Sequence, residues 1–187
     1  MSVEDFDKIT TKSGDLGVSS NWSGRRIPKS DEFFDVLGDI DELSSWIGTV
    51  LKTRDNRFVA VNSERLTTIQ NRLHDIMALV ATDPDIDFSG VFHSETYLAL
   101  KPITPLHIEE DLEDYQRDIL KTVDIPSKFI LPGGFIHQAR TCCRRAERTI
   151  VKFMNHNKMR YDLNNSSRYL NRLSDLLFAL ATKYDYD

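Results

Sequence analysis

Apolar residues recur every three or four positions through five separate stretches of this chain, and that spacing restricts the fold more than any other feature. From Ser30 onward, Phe33, Phe34, Leu37, Ile40, Leu43, Ile47, Val50 and Leu51 form one stripe. A residue returns to the same helix face after three or four steps, so the stripe predicts an amphipathic helix. Ser30 is a plausible N-cap, and Asp31 and Glu32 suit the positive end of the helix dipole. A second helix is expected from about Ser63 to Ala81, carrying Leu66, Ile69, Leu73, Ile76 and Val80. Thr104-Pro105 starts a third, with proline at its first helical position, and Ile125-Pro126 ends it. A fourth follows the sharp turn Leu131-Pro-Gly-Gly134 and runs to roughly Asn155; the fifth spans about Ser166 to Tyr184.

Thr82 to Pro102 has no clear period and reads as a loop. Strands are scarce, with a few residues around Ile9 or Phe129 the most that the pattern supports. Five helices with mostly short connections imply an all-α fold, a five-helix antiparallel bundle. At 187 residues the chain suits one domain spanning 1–187, with 1–30 as an N-terminal loop and 31–187 as the bundle.

A net charge of -5 argues against nucleic acid as the main partner, because phosphate backbones select basic surfaces. No apolar run reaches the length of a membrane span, and the N-terminus resembles neither a signal nor a transit peptide. Cys142 and Cys143 are adjacent on a helix, cannot form an unstrained disulfide, and read as small buried residues. A reducing compartment follows: the cytoplasm, or the mitochondrial matrix if the protein is eukaryotic and processed.

Within the fourth helix, Arg140, Arg144 and Arg148 stand at i, i+4 and i+8 on one face. Three stacked cations repel one another unless an anion joins them, so either carboxylates from another segment or a phosphorylated ligand is expected beside them. In an acidic protein, that local exception favours a small anionic ligand over a long polyanion.

Other segments offer suitable company. In Thr10–Ser20, Gly14 and Gly17 allow successive N–H groups to face one point as an anion-binding nest, with Lys12 adding charge and Ser13, Ser19 and Ser20 adding hydroxyls. It is not a Walker A loop, since no Gly-Lys-Ser/Thr follows. Gly24-Arg25-Arg26-Ile27-Pro28-Lys29 brings three more cations. Asp39, Asp41 and Glu42 crowd one turn of the first helix, where Asp41 lies near the edge of the buried face and is a candidate partner for an arginine. Asn171, Arg172 and Asp175 are polar groups among leucines; they either cap neighbouring loops or orient a ligand. The five histidines show no metal-ligand spacing, and His137 reads as structural.

These segments, in this order, resemble the PduO-type ATP:cob(I)alamin adenosyltransferase (corrinoid adenosyltransferase) family. The resemblance rests on Thr11–Ser20, Gly24–Lys29, Gly38–Leu43, Phe129–Gly134, Arg140–Arg148 and Asn171–Asp175, and leaves only about 52 to 103 poorly matched. It implies a homotrimer of five-helix bundles with an active site at each subunit interface. The N-terminal loop of one subunit would wrap ATP through Thr11, Lys12, Gly14, Asp15, Gly17 and Ser19, with Lys29 nearby. Arg144, Glu147, Arg148 and Asn171 would complete the site from the neighbour, with Mg2+ on the phosphates. Arg140 would pair with Asp41 across the interface, and Phe129 matches the aromatic on the lower face of the corrin.

The implied reaction has cobalt(I) of cobalamin, made by a separate corrinoid reductase, attack the 5′ carbon of ATP and expel triphosphate. Such chemistry needs positioning and charge stabilisation and no general base. One departure stands out. Only Phe135 and Ile136 separate Pro-Gly-Gly from His137. Typical members have roughly five residues more there, which is over one helical turn. The alternatives are a non-catalytic member that binds nucleotide or corrinoid, or a trimer in which the arginines serve only as ion-paired glue.

Overall fold

The computed structural model describes residues 10, 12–84, 108–127, 130–157 and 160–185. Among the described residues, five α-helices carry the fold: α1 (Glu32–Thr53), α2 (Asn56–Val80), α3 (Ile108–Leu120), α4 (Gly134–His156) and α5 (Asn164–Tyr184). A two-stranded antiparallel ribbon, β1 (Val18–Ser20) and β2 (Arg26–Pro28), precedes them, with Ser19 opposite Ile27. The all-α expectation holds for the body of the chain. The described strands lie in the glycine-rich segment; Ile9 and Phe129, where strand residues are expected from sequence, fall outside the described residues. Each strand has three residues, too few for an alternating pattern to be visible.

Local chemistry explains where the helices begin. Asp31, not Ser30, caps α1: its carboxylate accepts from the Phe33 N–H at 2.9 Å. Ser30 belongs to the turn leaving β2, closed by the Asp31 N–H on the Pro28 carbonyl at 3.0 Å. Asp55 caps α2 by accepting from the Phe58 N–H at 2.8 Å, so this helix starts seven residues before Ser63. Helix α3 stops at Leu120, ahead of Ile125-Pro126, where the Thr122 hydroxyl donates to the Ile119 carbonyl at 2.7 Å. The expected start at Thr104-Pro105 lies outside the described residues. Buried Arg160 donates to the Val80 and Leu79 carbonyls at 3.0 and 2.8 Å, satisfying the last carbonyls of α2.

Helix α1 packs along α2 and α4, α4 along α5, and α5 along α3. Glu32 at the start of α1 meets His156 at the end of α4, while Arg54 after α1 meets Asp185 after α5. Thus α1 and α5 both run antiparallel to α4. The stripes read from sequence meet in one core, in which Ile40, Leu43, Leu73, Ile76, Ile150, Leu170, Leu173 and Leu176 are all fully buried. Burial of each such side chain contributes about 1.5–3 kcal/mol, enough collectively to fix which face of α4 is left outward. Among the described residues, no helix is long and apolar enough to cross a membrane.

Candidate functional site

Because Ala139, Cys142, Cys143, Ala146 and Ile150 face the core, the remaining face of α4 is set. Arg144 and Arg148 emerge there, both exposed, with Glu147 half-buried between them. Together with Asn171 of α5 and with Val151, Lys152, Asn155 and His156, they line an open groove of 490 Å³. The Arg148 guanidinium donates to the Arg144 carbonyl at 3.0 Å, and among the described residues no carboxylate pairs with either arginine. Four predicted site residues, Arg144, Glu147, Arg148 and Asn171, are therefore gathered in one place.

Two hydrogen bonds shape the groove wall. Asn171 Nδ2 donates to Glu147 Oε1 at 2.9 Å, and Arg172 donates to Asn171 Oδ1 at 3.0 Å. The first joins α5 to α4, so the polar groups in the leucine-rich helix do have partners at the groove. At its far end, Glu32 accepts from Lys152 at 2.9 Å and faces His156 Nδ1 at 2.9 Å. Those two partners, Lys152 first, hold the Glu32 carboxyl below its ordinary range.

The carboxylates of α1 go to a different arginine. Arg145, turned about 100° from Arg144, donates to Asp39 at 2.8 Å and also pairs with Glu42. Thr149 donates to Asp39 at 2.5 Å, and the Cys142 thiol donates to Glu42 Oε1 at 3.3 Å. The Cys142 bond, ahead of Trp46 and Arg145, lowers the Glu42 pKa; the Asp39 bond raises that of Arg145. Burial pushes both thiols up, and Cys143 donates to the Leu170 carbonyl at 3.2 Å. Both cysteines are buried and free, as expected. Arg145 stands outside the i, i+4, i+8 column of arginines; the sequence signal for its role is the i, i+3 pair Asp39 and Glu42 on α1.

Arg140 and Asp41 do not meet within one chain. The Arg140 guanidinium lies 5.3 Å from the centroid of the Phe178 ring on α5. Asp41 is exposed, not at the edge of the buried face, and lines a 530 Å³ hollow between the ribbon, α1 and α2.

The glycine-rich segment folds as two successive turns, with Asp15 N–H on the Lys12 carbonyl at 3.3 Å and Gly17 N–H on the Gly14 carbonyl at 3.1 Å. Lys12 and Gly17 both have positive φ, 56° and 73°. The Lys29 N–H donates to the Gly17 carbonyl at 2.8 Å, and its side chain lies against Gly14, leaving 2.6 Å between Nζ and the place a Cβ would take. Lys12, Gly14, Asp15, Gly17, Ser19 and Lys29 are thus brought to one cluster beside the ribbon. None of them lines the arginine groove. Thr11 and Phe129 fall outside the described residues. Also among the described residues, no group of three His, Cys, Asp or Glu side chains is placed to hold a metal ion.

Comparison with known proteins adds the context that this geometry requires. A family model described as cobalamin adenosyltransferase matches residues 9–184. The corrinoid adenosyltransferase MMAB of Homo sapiens is 37% identical over 181 residues, covering 93% of this chain and 67% of the relative. The corrinoid adenosyltransferase of Bacillus subtilis is 35% identical over 182 residues, covering 93% and 84%. Among solved structures, a variant PduO-type ATP:corrinoid adenosyltransferase from Lactobacillus reuteri, complexed with cobalamin and ATP, aligns with a TM-score of 0.78 at 31% identity, covering 95% of this chain and 93% of that one.

Proposed function

The chain belongs to the cobalamin adenosyltransferase family, and on that premise we propose that it transfers the 5′-deoxyadenosyl group of ATP to cob(I)alamin, giving adenosylcobalamin and triphosphate. One observation carries this reading to the residues. Arg144 and Arg148 share a groove with no carboxylate paired to either among the described residues, and a triphosphate supplies the anion that this column of cations lacks.

In the proposed reaction the cobalt(I) lone pair forms a bond to the 5′ carbon as the carbon–oxygen bond to triphosphate breaks. Arg144 and Arg148 stabilise the charge that grows on the departing phosphates. Glu147 and Asn171, locked to each other, fix the nucleotide against the groove wall. Lys12, Gly14, Asp15, Gly17, Ser19 and Lys29, with Thr11, wrap the same nucleotide from a second copy of the chain. That assignment is supported by the separation of the two halves within one chain, and it makes the working unit a homotrimer with Arg140 and Asp41 facing each other across the interface. Phe129 occupies the lower face of the corrin. Magnesium enters as the counter-ion of ATP, held chiefly by the phosphates. A separate reductase supplies cobalt(I), in a reducing compartment suited to the free thiols Cys142 and Cys143.

The test mixes purified protein with ATP, magnesium and chemically reduced cobalamin and follows the corrinoid spectrum. Adenosylcobalamin should accumulate, and Arg144→Ala should slow its formation by about 10²–10³ while the helical signal is retained. Binding of ATP without turnover would move the protein to the non-catalytic reading; binding of neither ligand would leave the arginines a structural role.

A further inference from the structure

The start of α4 is capped from the far end of the described chain. Its N-cap is Gly133, which has no side chain to receive the first N–H groups of the helix. The Asp185 carboxylate closes over this end, its Oδ2 accepting from the His137 N–H at 3.2 Å across 48 residues of sequence. The Asp185 side chain is 0% exposed and pairs with Arg54, the C-cap residue of α1. Arg54 also donates to the Tyr184 carbonyl at 2.6 Å, so one ion pair joins the ends of α1, α4 and α5.

Gly134 completes the fit. Its φ is +79°, and a Cβ there would stand 2.5–2.7 Å from the Asp185 carboxylate. A carboxylate at a helix N-terminus is electrostatically favoured, and the guanidinium beside it offsets the cost of burial. The turn held in this way follows directly on Leu131-Pro132-Gly133. Leu131 is 80% exposed there, and Phe135, 44% exposed, stacks on Trp46 with ring centroids 6.1 Å apart. Leu131 and Phe135 thus offer apolar area on either side of the Gly133-Gly134 turn.

We infer that Asp185 is a positioning residue for the corrinoid end of the site. Its carboxylate closes over the glycine-started end of α4, which has no side-chain cap of its own, and so fixes how Leu131–Phe135 meets the corrin. The inference rests on the adenosyltransferase reading above. Arg144 lies ten residues past Gly134, about 15 Å along the helix, so loosening the first turn leaves the nucleotide groove in place.

The experiment measures KM for cob(I)alamin and for ATP in the spectral assay. Asp185→Ala should raise the corrinoid KM about tenfold, the scale of a lost helix cap, with the ATP KM within about twofold. Asp185→Asn, which keeps an acceptor for the His137 N–H, should recover most of the loss. Where Asp185→Ala lowers the folded fraction, Gly134→Ala supplies the same split, because the displaced carboxylate and the strain of a Cβ at φ +79° both act on the first turn of α4 while Asp185 and Arg54 remain present. Two KM values that move together, or a corrinoid KM that stays fixed, overturn the inference while the unsubstituted enzyme still turns over. An unsubstituted protein that makes no adenosylcobalamin removes the underlying reading, and this inference with it.

Discussion

Asn171 Nδ2 and Glu147 Oε1 lie 2.9 Å apart and bind α5 to α4 at the wall of the arginine groove. Because Arg172 donates to the other end of the same amide, its orientation is fixed at both atoms. Asn171→Ala should weaken ATP binding about tenfold, the net worth of roughly one well-placed hydrogen bond to a charged group. Asn171→Asp should cost more, because it sets a second carboxylate against Glu147 beside the triphosphate. Calorimetric titration with ATP measures both; an Asn171→Asp protein that binds ATP as tightly as the parent would sink the assignment.

Arg144 and Arg145 are neighbours in sequence with opposite duties. Arg144 faces the groove without a carboxylate partner among the described residues, whereas Arg145 is tied to Asp39 and Glu42 of α1. Arg144→Ala or Arg148→Ala should lower turnover by about 10²–10³, the range found when one transition-state donor is removed, and barely shift the melting temperature. Arg145→Ala should do the reverse for stability. Its side chain is 42% exposed, so solvent screening holds the loss to about 1 kcal/mol, or about 2–4 °C in a chain of this size. Thermal melts and spectral assays of the three variants separate the roles, and equal effects on both readouts would show that they are not separate.

The spacing of Ile40, Leu43 and Ile47, or of Leu170, Leu173 and Leu177, was enough to draw α1 and α5, because a helix that buries one stripe must repeat it. The start of α2 was hidden because a polar residue holds a core position. Asn62 is buried, donating to the Phe58 carbonyl at 2.8 Å and accepting from the Tyr115 hydroxyl at 2.6 Å, and so interrupts the apolar stripe one turn after Phe58. Non-local bonding hid the ribbon as well: the Trp22 N–H at its turn donates to the Ala81 carbonyl at 3.0 Å, fifty-nine positions along the chain. The arginine groove was legible because all but one of its predicted residues share a single helix. The Asp185 cap was not, since nothing in a local pattern couples a glycine start to a carboxylate from another helix end.

Gly14 and Lys29 give a test of the loop that leaves the fold alone. A Cβ at Gly14 would come within 2.6 Å of Lys29 Nζ and 2.9 Å of Cε, both at the far end of a flexible side chain. Gly14→Ala should therefore change stability by less than about 0.5 kcal/mol, yet weaken ATP binding several-fold by displacing the ammonium. Lys29→Met should weaken it about tenfold. If the two act through one contact, the double variant should bind no worse than Lys29→Met. Fully additive losses would mean that Gly14 serves the nucleotide independently of Lys29.

His137 makes stability depend on pH. Burial first, and the neighbouring Arg140 second, lower its pKa from the ordinary value of 6.5. The imidazole is therefore neutral in the folded protein at a pH where the unfolded chain already binds a proton. Between the lowered value and 6.5 the unfolded state holds more protons, so folding stability rises with pH through that window and is lost as pH falls below 6.5. His137→Gln should cost some stability near neutrality by altering a buried contact, but should flatten the decline. Urea midpoints at about pH 7.5 and about pH 5.5 check this: the parent should lose more between them than the variant. Equal losses would assign the acid sensitivity to other groups and leave His137 a packing residue only.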